Sequence, residues 1–366
     1  MSNENRQRVV LDVMGADCAP ENIIIGGIEA SRRMGDKLQL VFVGREETIK
    51  PILASVSDCP ANISIKHAAT EVPMDVSAID GVRMRDSSMA VGIKMIKQGE
   101  ADAFVSPGNT GSVMANSLLT LGRIEGVSRP AIASLFPTSE GKPCVVLDVG
   151  ANSDCKPLNL SQFAVMGSAY SSSVLNVDSP KVGVISIGEE RSKGNELIRA
   201  ARDALMKSKI NFVGNIEGRD VLSGAVDVAV TDGFTGNILL KFAESVKPFM
   251  VEAVSHQVRT NLFSRFAVVL MLPFLKRMRS RFDYAESGGA PLLGVNGVII
   301  ICHGLSSPRA ITNAIIVGYE MADRKINKHI HDDLVANHFR KENGEKDKSQ
   351  DIRDGIVCTA TGDDQR

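Results

Sequence analysis

The chain has 366 residues, 43% apolar and 23% charged, with a formal net charge of −1. That composition suits a globular core of one large or two ordinary domains and gives no global pull toward nucleic acid. With no Trp and only 3 Tyr, stacking on bases is not the main business, and 6 scattered cysteines without a C-x-x-C read as free thiols in a reducing compartment.

The amino end, MSNENRQR, is polar and lacks the apolar stretch of a signal peptide, so the expectation is a cytoplasmic protein. Residues 8–15 (RVVLDVMG) then read as a buried strand and 21–35 as a helix. The strand LQLVFVG, 38–44, is followed by helical periodicity over 87–100, and the strand ADAFVSPG, 101–108, runs into a helix. Further strands are read at 142–150 (KPCVVLDVG), 181–188 (KVGVISIG), 210–215 (INFVGN) and 226–233 (VDVAVTDG), with helices at 158–175 and 195–208 between them. GVNGVIIICHG, 294–304, is a late buried strand. Strand then helix, repeated, predicts an α/β fold with a mostly parallel sheet flanked by helices, as a single large domain over 1–340. Residues 341–366 are charged and core-poor and read as a disordered tail.

Several strand ends carry Gly beside Asn: Gly108-Asn109, Gly150-Ala151-Asn152, Gly194-Asn195, Gly214-Asn215 and Gly236-Asn237. One such joint is only a turn or a helix cap. Together, in a fold whose ligands bind beyond the carboxyl ends of the strands, they read as one site assembled from several loops. Glycines let backbone N–H groups approach an anion, and Asn supplies both donor and acceptor. Such a site suits phosphate or a developing oxyanion.

Absent motifs narrow the field. There is no G-x-S-x-G, no P-loop and no G-x-G pair, and no histidine has an Asp five residues on. Lys193, beside Gly194, can reach a phosphate as a point charge, or stand solvated with Glu189 and Glu190 as partners. Asp232 can orient a donor or accept a proton, or simply cap the following helix. His303 follows an apolar run, where a lone histidine is more often structural than catalytic.

Ten stretches, in order from residue 11 to 307, resemble the bacterial phosphate acyltransferase family: LDVMGAD, VSPGNTGSVMA, RPAIASLFP, LDVGANSD, QFAVMGSAY, ISIGEERSKGNEL, FVGNIEGRD, VTDGFTGNILLK, GGAPLLGVNGVII and HGLSS. The departures are Ala16 and Pro107, where that pattern has Gly and Ala, and Arg191 inside its acidic run. The resemblance implies a fold like that of phosphotransacetylases and isocitrate-type dehydrogenases. It implies transfer of a fatty acyl chain from acyl carrier protein to inorganic phosphate, without metal or organic cofactor, by a homodimer at the inner face of the membrane. The acyl phosphate would feed phosphatidic acid synthesis through a downstream glycerol-phosphate acyltransferase. A phosphotransacetylase-like enzyme using acyl-CoA and a non-catalytic membrane-surface scaffold are the alternatives.

On this reading Lys193, Asp232 and Asn237 are the catalytic candidates. Gly108, Asn109, Thr110, Gly111, Asn152, Gly194, Asn215, Gly236, Asn296 and His303 are the phosphate- and substrate-binding candidates. An amphipathic helical arm is expected at about 245–285. Its centre, including Val269, Leu270, Leu272, Phe274 and Leu275, is apolar with a basic rim, as in an interfacial segment. Burial at the dimer contact and docking of acidic carrier protein are the other readings of that segment.

Overall fold

Eleven strands form one continuous sheet in the computed structural model, which describes residues 6–16, 20–260 and 288–340. In chain order they are β1 (Gln7–Asp12), β2 (Leu38–Gly44), β3 (Ile63–His67), β4 (Ala103–Ser106), β5 (Ala131–Phe136), β6 (Cys144–Leu147), β7 (Val182–Ile185), β8 (Phe212–Ile216), β9 (Val228–Val230), β10 (Ala290–Leu293) and β11 (Val298–Ile301). Their order across the sheet is β3-β2-β1-β4-β11-β10-β5-β6-β9-β7-β8. The arm centre named above and the tail 341–366 lie outside the described residues.

The strands read as near-continuous apolar runs because both faces of the sheet are covered. Alternate residues go to opposite sides: Val9 and Leu11 of β1 join one apolar cluster and Val10 the other, and likewise Leu40 and Phe42 against Val41 and Val43 on β2. The first cluster takes in α1 (Pro20–Met34), α6 (Pro157–Ser173), α7 (Glu196–Leu205), α10 (Pro308–Asp323) and α11 (Ile326–Ala336). The second takes in α4 (Ser88–Lys97), α5 (Thr110–Leu121), α8 (Gly218–Ser223) and the first turns of α9 (Gly233–Thr260). The remaining helices, α2 (Glu46–Ala54) and α3 (Ala78–Arg83), are short.

The expected parallel pairing holds over most of the sheet, with one consequence that local pattern does not show. The strands β3, β2, β1, β4 and β11 run parallel to one another. Next come β10, antiparallel to β11; β5, antiparallel to β10; and β6, antiparallel to β5. Beyond them β9, β7 and β8 follow β6 in parallel. Three reversals leave the two parallel blocks pointing in opposite directions. The carboxyl ends of β1, β4 and β11 therefore open on one edge of the sheet, and those of β6, β7, β8 and β9 on the other.

Candidate active site

This reversal divides the predicted residues. Gly108, Asn109, Thr110, Gly111 and His303 stand beyond β4 and β11, on the first edge. Asn152, Lys193, Gly194, Asp232, Gly236 and Asn237 stand beyond β6, β7 and β9, on the second. Five strand spacings separate β4 from β9, about 24 Å across the sheet.

On the first edge, Asp12 ends β1 with its side chain fully buried and accepts from the Ser106 hydroxyl at 2.8 Å. Burial raises its pKa, opposed by hydrogen bonds that include Ser106 and the Met14 and Gly15 N–H groups. Ser106 in turn accepts from Gly108 N at 3.1 Å, shaping the turn into α5. Asn109 caps that helix: its Oδ1 accepts from Ser112 N at 2.9 Å. Its Nδ2 donates to Met74 O at 2.7 Å and Val76 O at 3.3 Å, so the amide clamps a neighbouring loop. His303 is exposed, with Nδ1 accepting from Leu305 N at 3.1 Å. In a neutral ring that accepts at Nδ1, the proton is on Nε2.

The second edge is built on Asp148. Its carboxylate is fully buried and accepts from five N–H groups: Ile132 N at 3.1 Å, Gly150 N at 3.1 Å, Ala151 N at 2.9 Å, Asn152 N at 2.7 Å and Asn152 Nδ2 at 2.8 Å. Burial pushes its pKa up, and the Ala151, Asn152, Ile132 and Gly150 donors oppose the shift. Asn152 also donates to Pro130 O at 2.7 Å, so its amide braces the wall and is spent. Cys155 follows in the same loop, and burial, with the Asp148 charge second, pushes its thiol up to about 12.

The start of α9 packs directly on this loop. A Cβ on Gly233 would lie 2.7 Å from Asp148 Oδ2, and one on Gly236 would lie 1.9 Å from Asp148 O. Glycine is required at both by close approach rather than by backbone angle. Asp232 is the cap of α9: its Oδ1 accepts from Thr235 N at 2.8 Å and its Oδ2 from the Thr235 hydroxyl at 3.0 Å. Asn237, one residue past Gly236, is exposed beside Gly150, and no hydrogen bond engages its amide among the described residues.

The loop after β7, next to β9 in the sheet, carries Lys193. It is braced from three sides. Asn215, inside edge strand β8, donates to Glu190 O at 3.0 Å and Lys193 O at 3.4 Å. Arg202 donates to Arg191 O, and Arg219 pairs with Glu189 at 3.0 Å. Gly194 holds φ +95°, a turn that favours glycine, and Asn195 caps α7 by accepting from Ile198 N at 2.9 Å. Glu189 is thus taken by Arg219, and Lys193 is left exposed with no ion pair among the described residues. Asn296 sits at the amino end of β11, bonded through its N–H to Gly122 O at 3.0 Å. That end lies on the second edge, about 14 Å from β6 by strand spacing.

Asp148 and Asp12 were not among the residues singled out from the sequence, although a signal exists. Leu11-Asp12-Val13-Met14-Gly15-Ala16 recurs as Leu147-Asp148-Val149-Gly150-Ala151, and Ser106-Pro107-Gly108-Asn109-Thr110-Gly111 recurs as Thr231-Asp232-Gly233-Phe234-Thr235-Gly236. The same device serves twice, once on each edge.

Residues 7–329 match the family described as fatty acid synthesis protein. Among curated proteins, the chain is 43% identical over 332 residues to the phosphate acyltransferase of Geotalea daltonii, covering 90% of this chain and 95% of that one. It is 46% identical over 312 residues to the phosphate acyltransferase of Heliobacterium modesticaldum, covering 85% and 92%. Among solved structures, a phosphotransacetylase from Streptococcus pyogenes superposes with a TM-score of 0.61 at 17% identity, covering 87% of this chain and 94% of that one. A phosphotransacetylase from Staphylococcus aureus gives 0.57 at 16%, covering 87% and 94%. These two similarities concern the fold alone.

Proposed function

The chain belongs to the fatty acid synthesis protein family together with phosphate acyltransferases, and on that premise we propose that it transfers a fatty acyl group from acyl carrier protein to inorganic phosphate. A phosphate oxygen attacks the thioester carbonyl carbon, forming a C–O bond as the carbonyl electron pair moves onto oxygen. Collapse breaks the C–S bond. The pair leaves on sulfur, which takes up the proton that hydrogen phosphate gives up, so acyl phosphate and the carrier thiol are the products. A thiol with a pKa of about 8.5 leaves readily, and little acid catalysis is needed.

The observation that carries this reading is the state of the donors on the second edge. The Nδ2 donors of Asn152 and Asn215 are taken up in bracing, and Asp232 is an acceptor engaged by Thr235. Lys193, on the loop after β7, and Asn237, in the first turns of α9 after the neighbouring β9, keep their donors unengaged among the described residues. We assign the Lys193 ammonium to the phosphate or the developing oxyanion, and the Asn237 amide to the same charge. Cys155, held as a thiol, suits direct attack by phosphate rather than an acyl-cysteine intermediate.

Purified protein incubated with long-chain acyl carrier protein and phosphate should yield acyl phosphate, trapped as the hydroxamate, in amounts that depend on both. Turnover with acetyl-CoA but not with the carrier-bound acyl chain would make the protein a phosphotransacetylase-like enzyme instead.

The assembly is proposed on the same footing: a homodimer at the inner face of the membrane, passing acyl phosphate to a glycerol-phosphate acyltransferase. Phe234, Ile238, Phe242 and Phe249 lie along one face of α9 and are 64%, 55%, 68% and 67% exposed in the single chain. A stripe of this kind marks a contact surface. No helix of the described residues is long and apolar enough to cross a membrane. Phe242→Glu should lower the molar mass in light scattering or abolish liposome flotation. A variant that keeps both refutes the role of this face.

A further inference from the structure

We propose that Asp148 is the positioning residue of the reaction: its buried carboxylate sets the loop 149–152, and through it the amino end of α9, in the geometry that aims Asn237 at phosphate. This rests on the acyl-to-phosphate reading of the site.

Five donors converge on two oxygens, about as many as the lone pairs of a carboxylate accept. Oδ1 collects Ile132, Gly150 and Ala151. Oδ2 collects both N–H groups of Asn152. No cation pairs with Asp148 among the described residues, so N–H dipoles alone face its oxygens. From Asn152 the connection runs straight to α9: Gly233 N donates to Asn152 O at 2.8 Å. Gly233 and Gly236 leave no room for the helix to slide, since a single added carbon at either would overlap the Asp148–Asn152 loop.

Asp12, its counterpart on the first edge, is also fully buried but is held differently. One of its oxygens takes a hydroxyl, from Ser106, Met14 N approaches the other at 3.2 Å, and the Gly15 N–H also bonds the carboxyl. The first edge therefore supplies a matched control, a buried aspartate of the same local sequence away from Lys193 and Asn237.

The test is Asp148→Asn beside Asp12→Asn in the full chain. Asn at 148 can keep the three donors on one side but presents N–H to the two N–H groups of Asn152, so the disturbance is confined to the link with α9. We expect kcat to fall at least 100-fold with KM for the acyl donor within twofold of wild type. The rise in melting temperature that inorganic phosphate gives the wild type should be lost in Asp148→Asn and kept in Asp12→Asn. Asp148→Asn with near-normal kcat, or a loss of turnover and of phosphate response shared equally by the two variants, overturns the proposal. Wild type that makes no acyl phosphate yet is stabilised by phosphate, with only Asp148→Asn losing that effect, overturns the acyl-transfer reading and leaves Asp148 in its role. A wild type that neither turns over nor responds to phosphate overturns both.

Discussion

Replacing one glycine in each copy of the repeated device should lower stability in one copy and not in the other. Gly111 and Gly236 occupy the same place in Thr110-Gly111 and Thr235-Gly236, each in the first turn of a helix and neither with positive φ. At Gly236 an added Cβ would stand 1.9 Å from Asp148 O and 3.0 Å from Asp148 C and Thr231 Cγ2. The nearest obstacle is backbone, so the helix must move by more than an ångström. Overpacking of this severity costs about 3 kcal/mol, against about 1 kcal/mol gained in helix propensity, a net loss of about 2 kcal/mol. At Gly111 the added carbon would meet Ala78 Cβ and Asn109 Oδ1 at 3.4 Å, ordinary contact, so up to about 1 kcal/mol of propensity is kept. At about 2 °C per kcal/mol for a chain of this size, Gly236→Ala should melt about 4 °C lower and Gly111→Ala unchanged or about 2 °C higher. Differential scanning calorimetry of the two purified variants measures this. Equal shifts of the same sign would refute the close packing of α9 on Asp148.

Lys193→Ala should lower kcat by roughly 10²–10³ while melting with the wild type, because removing one electrostatic donor costs about 3 kcal/mol of the barrier whereas an unpaired, exposed lysine contributes little to the fold; near-normal turnover would return it to a solvated role. The cysteines should separate by environment. Burial pushes the Cys144, Cys155 and Cys302 thiols up to about 12, so at pH 8 only about 1 in 10⁴ is thiolate, whereas Cys59 is exposed. Iodoacetamide at pH 8 followed by peptide mass spectrometry should label Cys59 and spare those three until the protein is unfolded, and fast labelling of Cys155 would show that its loop is open.

Much of this molecule is written locally. Runs such as LQLVFVG and KVGVISIG are apolar throughout because both sides of their strands are covered, and the helices between them follow from periodicity and caps such as Asn195. The ten ordered stretches carry the family resemblance in the sequence itself. Local pattern does not mark β3, β5 and β10 as strands. Of these, β5 and β10 supply the reversals that set the two parallel blocks head to tail. Pairing direction is a relation between segments far apart in the chain, and no single run of residues encodes it.

The site divides in the same way. That strand ends carrying Gly and Asn would gather polar groups follows from residue chemistry. Which of those groups stay available depends on partners distant in sequence. Asn109 is taken by Met74 and Val76, Asn152 by Pro130 and Asp148, Asn215 by Glu190 and Lys193, while Glu189 goes to Arg219 and releases Lys193. A buried polar group must find a partner, and the fold alone determines which partner is within reach. The sequence by itself therefore determined the elements, the family and the kind of donors present. Only the tertiary structure decided which edge each donor stands on and which are left unengaged, because hydrogen bonds are satisfied in space rather than along the chain.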